Sequence, residues 1–454
     1  MSKQEGQPGI DLGAGRVPSV LLRLASPIMV SLFFESLFYL MDTLFVSWLG
    51  TQPLAALSLS MPLFYAAFAL AKGVSVGAAV LLSHSLGAGQ VERGRRIVRA
   101  AFPLMLLVML PWLVLTGEAP GEAVLSLLGA RQQPEVLREG SRFLFWLVMS
   151  FPVMGFFMVS ESVCLSHGDS VTPMKGLLLG NLVSIGLKYL FIFRLGMGVA
   201  GSSLGSLAGW TVSAVYLGWQ MARQGKPLPA VGFDREMLAH WKGIAGLGSQ
   251  AALGVFIGPL GLGLINILLA RLDMAAVAGL NLALRLEFMV IVPLVGLSNA
   301  LAPFMGFNLG RGEMTRIREG VRASLRLGWF VITPVMVVFL CCARPLFWVF
   351  KPSEEVLNLA QYALQCSALG YLAVPLDLTL QGTALGLKRP AYALLAAGFR
   401  QFLLRVPLVA GLSALYGVKG AFWSLPLSTW ISGGLCFWLL RRLLDRALRP
   451  PEPG

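Results

Sequence analysis

Charge is what this 454-residue chain has least of: 13% of its residues are Asp, Glu, Lys or Arg, against 56% apolar ones, and the mean hydropathy is +0.74. Water cannot solvate that much apolar surface, so an ordinary soluble protein is excluded. Cysteine is scarce as well. The five (Cys164, Cys341, Cys342, Cys366 and Cys436) lie in or beside apolar runs without CxxC spacing, which excludes a disulfide framework or cysteine metal site and leaves small packing residues. The three histidines, His84, His167 and His240, have no ligand partners at suitable spacing, so no metal is implied. A Walker motif is missing. Gly87 to Gly89 and Gly310 to Gly312 resemble fragments of a phosphate loop, but they stand at helix ends, where glycine is an ordinary cap. Neither paired metal-binding acids nor a His–Asp dyad marks an intramembrane enzyme, so no cofactor and no catalytic residue is expected.

What is present is one apolar run after another. About 20 residues of helix cross a hydrocarbon layer of roughly 30 Å, and twelve such runs lie between residues 17 and 440. Lipid offers backbone groups no partner and nothing alternates like a barrel strand, so the expected fold is an all-α polytopic membrane protein with twelve transmembrane helices. The net charge of +14 is distributed as topology rather than as a nucleic-acid surface. Arg93, Arg95, Arg96 and Arg99 follow the second run. Arg223, Lys226, Arg235 and Lys242 follow the sixth, and Arg311, Arg316, Arg318 and Arg322 the eighth. The positive-inside rule then places both termini in the cytoplasm, in a multi-pass protein of the cell (cytoplasmic or inner) membrane. The first run is too long for a signal peptide and is expected to stay uncleaved.

The chain also repeats itself. Slid by 223 residues, Pro53 to Val98 lies on Ala276 to Val321 without a gap, with Gly73 on Gly296, Ser75 on Ser298 and the LGxG endings of both segments in register. A second echo pairs Leu165–Pro173 with Leu385–Pro390. Two six-helix units in the same orientation follow, a pseudo-symmetry used by transporters that expose a site to either side in turn. The expected division is a cytoplasmic tail at 1–16, an N-lobe at 17–222, a linker at 223–242, a C-lobe at 243–440 and a basic tail at 441–454.

Ionisable residues inside apolar helices cost about 2.5 to 3.5 kcal/mol each on insertion scales, so they face a wet cavity or a partner. The segment PIMVSLFFESLFYLMDTLFV (Pro27 to Val46) carries Glu35 and Asp42, seven residues apart and therefore on one helix face. An acid pair in a cleft suits the loading and unloading of a proton. Lys72, Glu161, Lys188, Arg285, Glu287, Asp377, Arg400 and Arg405 are further charges within the runs. Fixed ion pairs between helices are the plainer reading, particularly for Glu161, Arg285 and Arg400.

The SPIM stretch followed by Asp42 in DTLFVSWLG, then LAAL, SHSLGAG and LFIFRLGMGVAGSSLGSLAG (Leu190 to Gly209), resembles the multidrug and toxic compound extrusion (MATE) family, most closely its archaeal and DinF-like branch. The likeness covers nearly the whole chain. It implies an antiporter that exports amphipathic organic compounds, drugs or toxic metabolites, in exchange for H+ or Na+, acting as a monomer with a small-molecule substrate and membrane lipid as its partners. It further implies Asp42 as the coupling carboxylate of the N-lobe, Pro27 as the helix bend linked to it, and Asp377 as a second acid. Asn181, Ser184, Ser206, Glu161, Glu287 and Arg405 are the expected substrate-cavity residues, with Glu35, Asp42, Lys188 and Asp377 for ion coupling. One departure stands out. The family commonly has an acid where this chain has Lys188, and Arg405 occupies the corresponding place in the second half. Lys188 is then either an internal cation paired with Asp42 or Glu35 until displaced, or part of a positive lining for an anionic or zwitterionic substrate. A flippase for lipid-linked precursors, with Lys188, Arg405, Arg285 and Lys72 on a pyrophosphate, is the alternative within the same superfamily.

Overall fold

The structure, a computed structural model, describes residues 9–130, 133–227, 236–350 and 353–447. Expectations for 1–8, the middle of the linker at 228–235 and 448–454 lie outside the described residues.

Apolar runs of this length have one way to satisfy their backbone in lipid, and the described chain is helical almost throughout. The helices are α1 (Val17–Ser47), α2 (Thr51–Gly87), α3 (Val91–Met109), α4 (Glu118–Leu125), α5 (Pro134–Ser166), α6 (Val171–Tyr189), α7 (Val199–Arg223), α8 (Met237–Ala270), α9 (Met274–Arg311), α10 (Met314–Cys341), α11 (Ala343–Leu346), α12 (Glu354–Leu369), α13 (Val374–Gly386), α14 (Ala391–Gly398) and α15 (Val406–Ala447). Among the described residues, ten stretches are long and apolar enough to cross a membrane. The last of these, Ala391–Arg446, holds two helices that meet at Gly417 (φ 61°, ψ −145°). Helix α7, whose 25 residues also suffice in length, is diluted by Gly and Ser and makes up the twelve.

The internal repeat is visible in the geometry. Ser75 Oγ on α2 donates to the Met158 carbonyl on α5 at 2.7 Å, and Ser298 Oγ on α9 donates to the Leu378 carbonyl on α13 at 2.7 Å. Gly89 and Gly312, which follow the matching helices, both turn through the left-handed region, at φ 72° and 76°. Gly417 has the same conformation as Gly198 (φ 59°, ψ −142°), which opens α7. Lys388 (φ 60°) stands where the second echo puts Gly168 (φ 78°).

The described residues fold into two compact units, one of 9–11 with those between 30 and 252, the other of 12–29 with those between 253 and 447. The division falls inside α1 and inside α8 rather than at the ends of the repeat halves. Each unit has its own core. The first is built on Phe64, Phe102, Phe143 and Phe151, the second on Phe339, Phe347, Tyr371 and Phe422.

Candidate functional site

In the first unit, α6 and α7 pack along a seam of small residues. Gly180 and Ser184 of α6 face Gly209 and Gly205 of α7, so close that a Cβ at Gly209 would stand 2.6 Å from that of Ser184. Without a hydrophobic drive between helices in lipid, such small-residue seams let backbones approach and hold them together. Ser184 Oγ closes the seam by donating to the Gly205 carbonyl at 2.8 Å. Lys188 lies one helical turn further along the same face of α6. Gly205 has no side chain to block it: a Cβ there would stand 3.1 Å from the Lys188 nitrogen and 3.2 Å from its Cα. The lysine is therefore carried between the helices, where its side chain is 1% exposed.

Its ammonium ends 3.0 Å from Oδ1 of Asp42 on α1, and 4.0 Å above the centre of the Phe38 ring one turn earlier on that helix. A desolvated cation over an aromatic face gains on the order of 2 kcal/mol from the ring quadrupole, which helps to hold the charge in place. Ser202, buried near the start of α7, donates its hydroxyl to the same carboxylate oxygen. Asp42 is 13% exposed, and it opens onto a cavity of about 250 Å³ lined by Phe38, Met61, Phe64, Tyr65, Ser206 and Trp210 among others. That is a little below the roughly 300 to 1,000 Å³ of sites that enclose a whole drug-sized ligand, and it suits one ring system of a ligand.

The second unit has a different arrangement. A π-helical turn at Phe399–Arg405 links α14 to α15, and another, Leu190–Arg194, follows α6 and Lys188 in the first unit. Arg400 Nη1 lies 2.5 Å from Oδ2 of the buried Asp377, and Gln381 Nε2 is 3.4 Å from the same atom. Arg405 donates Nε to Ser428 Oγ at 3.1 Å and Nη2 to Thr429 Oγ1 at 3.0 Å. Glu287 of α9, Tyr371, Asp377 and both arginines line a cavity of about 170 Å³.

Of the residues expected from sequence, the structure joins Asp42 to Lys188 and places Ser206 on their cavity, and it gathers Asp377, Glu287 and Arg405 around the second one. The Ser184 hydroxyl is engaged by the helix seam, and the residue does not line the Asp42 cavity. Asn181, three residues before Ser184, does not line it either, and its Nδ2 is buried without a hydrogen-bond partner among the described residues. Glu35 is half-buried on α1 and Glu161 half-buried on α5; neither lines the Asp42 cavity. Glu161 feels the charge of Lys72 on α2 without an ion pair among the described residues. Pro27 is buried in α1, two residues before the division between the compact units at 29/30.

Sequence reading missed Ser202, although its presence in AGSSLGSLAG signalled a polar stripe, and it missed Trp210; the sequence left Phe38, Phe64 and Tyr65 open between packing and stacking on a flat ligand, and they line the cavity. It also took Lys226 only as one of the basic residues after the sixth run that set topology. Instead Lys226 is buried at 2.8 Å from Asp169, whose carboxylate also accepts from the Thr172 backbone at 3.0 Å and from its hydroxyl at 2.7 Å. Burial pushes the neighbouring His167, just beyond the end of α5, below the usual histidine range.

Helical membrane units with buried charges beside polar-and-aromatic cavities have the character of small-molecule pathways through a membrane. The chain matches the MatE family model over residues 27–190 and 251–410, one block in each half, and belongs to that family. It is 28% identical over 94% of its length, and 95% of the relative's, to a protein of Shewanella oneidensis described as an FAD transporter. It is also 24% identical to a probable multidrug resistance protein NorM of Thermotoga maritima, covering 81% of this chain and 79% of that one. Among solved structures, the Vibrio cholerae MATE transporter VcmN in its bent form shares the fold with a TM-score of 0.89 at 22% identity, over 95% of this chain and 98% of that one. A MOP superfamily transporter from Pyrococcus furiosus shares it with a TM-score of 0.88 at 20% identity, over 98% and 100%.

Proposed function

We propose that the protein is an ion-coupled exporter of amphipathic organic compounds, working by alternating access in the cytoplasmic membrane with both termini inside the cell. One observation carries this reading: a buried ion pair, Asp42 with Lys188, whose carboxylate opens onto an aromatic-lined cavity. A charge pair in a low dielectric is held only while both partners stay charged and together, so a cation that reaches Asp42 from the cavity competes directly with Lys188. A proton, Na+ or the cationic end of a substrate can each act as that competitor. Binding of one then depends on release of another, which is the requirement for exchange. Ser202 holds the carboxylate in place throughout, since its hydroxyl serves the ionised form as donor and the protonated form as acceptor.

The test is efflux from proteoliposomes under an imposed pH or sodium gradient. Asp42→Asn, which cannot be charged, is expected to lose gradient-driven efflux by at least about tenfold. Lys188→Ala is expected to shift the pH dependence of efflux, because its competitor is gone. Asp42→Asn working at the wild-type rate under both gradients would remove the coupling role.

A second reading has its own support. The relative described as an FAD transporter covers almost the whole chain, and FAD joins a flat ring system to an anionic pyrophosphate. Lys188 above Phe38, beside Tyr65 and Trp210, offers a cation and stacking faces of the kind such a metabolite needs. Under this reading the substrate's anionic group, rather than a cation, separates Lys188 from Asp42. Competition of efflux by flavin nucleotides, with none by organic cations, would favour it.

A further inference from the structure

The cavity of the second unit is a site in its own right, and its polar groups are incompletely satisfied. Tyr371 is 1% exposed, yet its hydroxyl has no hydrogen-bond partner among the described residues, and the same holds for Nε of Arg400. A buried hydroxyl without a partner has lost its water and gained nothing in return, so a ligand that supplies the missing bond is preferred over an empty site. Among the described residues, Arg405 bonds only to neutral hydroxyls. Those hydroxyls, Ser428 and Thr429, give their own protons to the Leu425 carbonyl at 2.9 and 2.8 Å, so they hold the guanidinium as acceptors without neutralising it. On the acidic side, Asp377 is engaged by Arg400, whereas the Glu287 carboxylate lines the cavity without an ion pair among the described residues.

The backbone accounts for the meeting of two arginines. They stand five residues apart in the π-helical turn Phe399–Arg405. In an α-helix residues five apart diverge around the axis, but the i→i+5 closure of a π-turn brings them over one another, on the cavity side. The cavity measures about 170 Å³. That is on the order of ten times the roughly 15 Å³ that admits one water, room for a head group of several heavy atoms.

We propose that this cavity binds the zwitterionic head of a small molecule, with the anionic group on Tyr371 Oη, Arg400 Nε and Arg405, and the ammonium on Glu287. A simple anion would satisfy the donors but face the Glu287 carboxylate. A simple cation would satisfy Glu287 but face two guanidinium groups. Only a ligand with both charges meets every unsatisfied group. The site does not rest on coupling through Asp42, and its test needs no gradient.

Isothermal titration of the purified full chain with three probes of matched size, β-alanine, propionate and propylamine, decides it. β-Alanine is expected to bind saturably and at least about tenfold more tightly than either singly charged probe. Glu287→Gln, nearly isosteric, should reduce β-alanine to the affinity of propionate. Tyr371→Phe should weaken β-alanine and propionate together by several-fold. Absence of saturable β-alanine binding, equal affinity for all three probes, or unchanged binding in both variants would each overturn the assignment.

Discussion

Lys188 reaches Asp42 because Gly205 has no side chain and Ser184 has a short one, so the lysine owes its position to the two residues that bring α6 and α7 together. The energetics of such a pair are lopsided. Removing one partner leaves an uncompensated charge in a low dielectric, at about 3 to 5 kcal/mol, while replacing both by apolar residues of similar volume is close to neutral. Lys188→Met alone is therefore expected to destabilise the purified protein, toward the lower end of that range, because Asp42 keeps the Ser202 hydroxyl and is 13% exposed. Asp42→Leu combined with Lys188→Met is expected to recover most of the loss in thermal unfolding while gradient-driven efflux is lost with the carboxylate. A double variant no more stable than Lys188→Met would show that the pair is not coupled in the folded state.

At the scale of the element, the repeat is conserved where the backbone is unusual. Gly198 and Gly417 adopt the same left-handed geometry, one opening α7 and the other dividing the helix of Ala391–Arg446. Both pair φ near +60° with ψ of −142° and −145°, a region that glycine enters freely and a residue with a Cβ enters only at a cost of about 1 to 3 kcal/mol. No side chain crowds Gly417, so the penalty there is conformational rather than steric. Gly417→Ala and Gly198→Ala are expected to lower stability by similar amounts, about 1 to 3 kcal/mol each. Gly186→Ala, inside α6 with open space around it, is expected to raise stability by up to about 1 kcal/mol. Thermal unfolding of the three variants checks this, and a Gly417→Ala protein as stable as Gly186→Ala would show that the kink is not fixed by the backbone.

For the whole molecule, what the sequence made legible was set by what lipid forbids. The helices and their number follow from run length, because no other backbone state survives there, the twofold repeat follows from the match of the chain with itself at a shift of 223 residues, and Asp42, Lys188 and Asp377 stood out as expensive residues. The pairings did not, since each depends on which helices meet. Ser184 looks like a cavity residue until α6 is set against Gly205, Lys226 like one more topology-setting charge until Asp169 is found beside it, and Arg400 and Arg405 come together only through a π-turn that no local pattern announces. The extent of the compact units was hidden for the same reason. The first unit includes the opening half of α8, where a Cβ on Gly73 would stand 2.7 Å from the Gly248 carbonyl. The second includes residues 12–29, where Asn308 Nδ2 donates to the Leu12 carbonyl at 3.1 Å and a Cβ on Gly296 would stand 2.6 Å from Met29. Cutting the chain between Pro227 and Glu236, at the boundary of the repeat halves, therefore takes a helical segment from each unit. Neither half expressed alone is expected to accumulate as folded protein, because each exposes an apolar surface that its missing segment covers. The two halves expressed together are expected to co-purify and regain efflux. A first half that folds and stays monodisperse by itself would show that residues 237–252 are dispensable to the unit they complete.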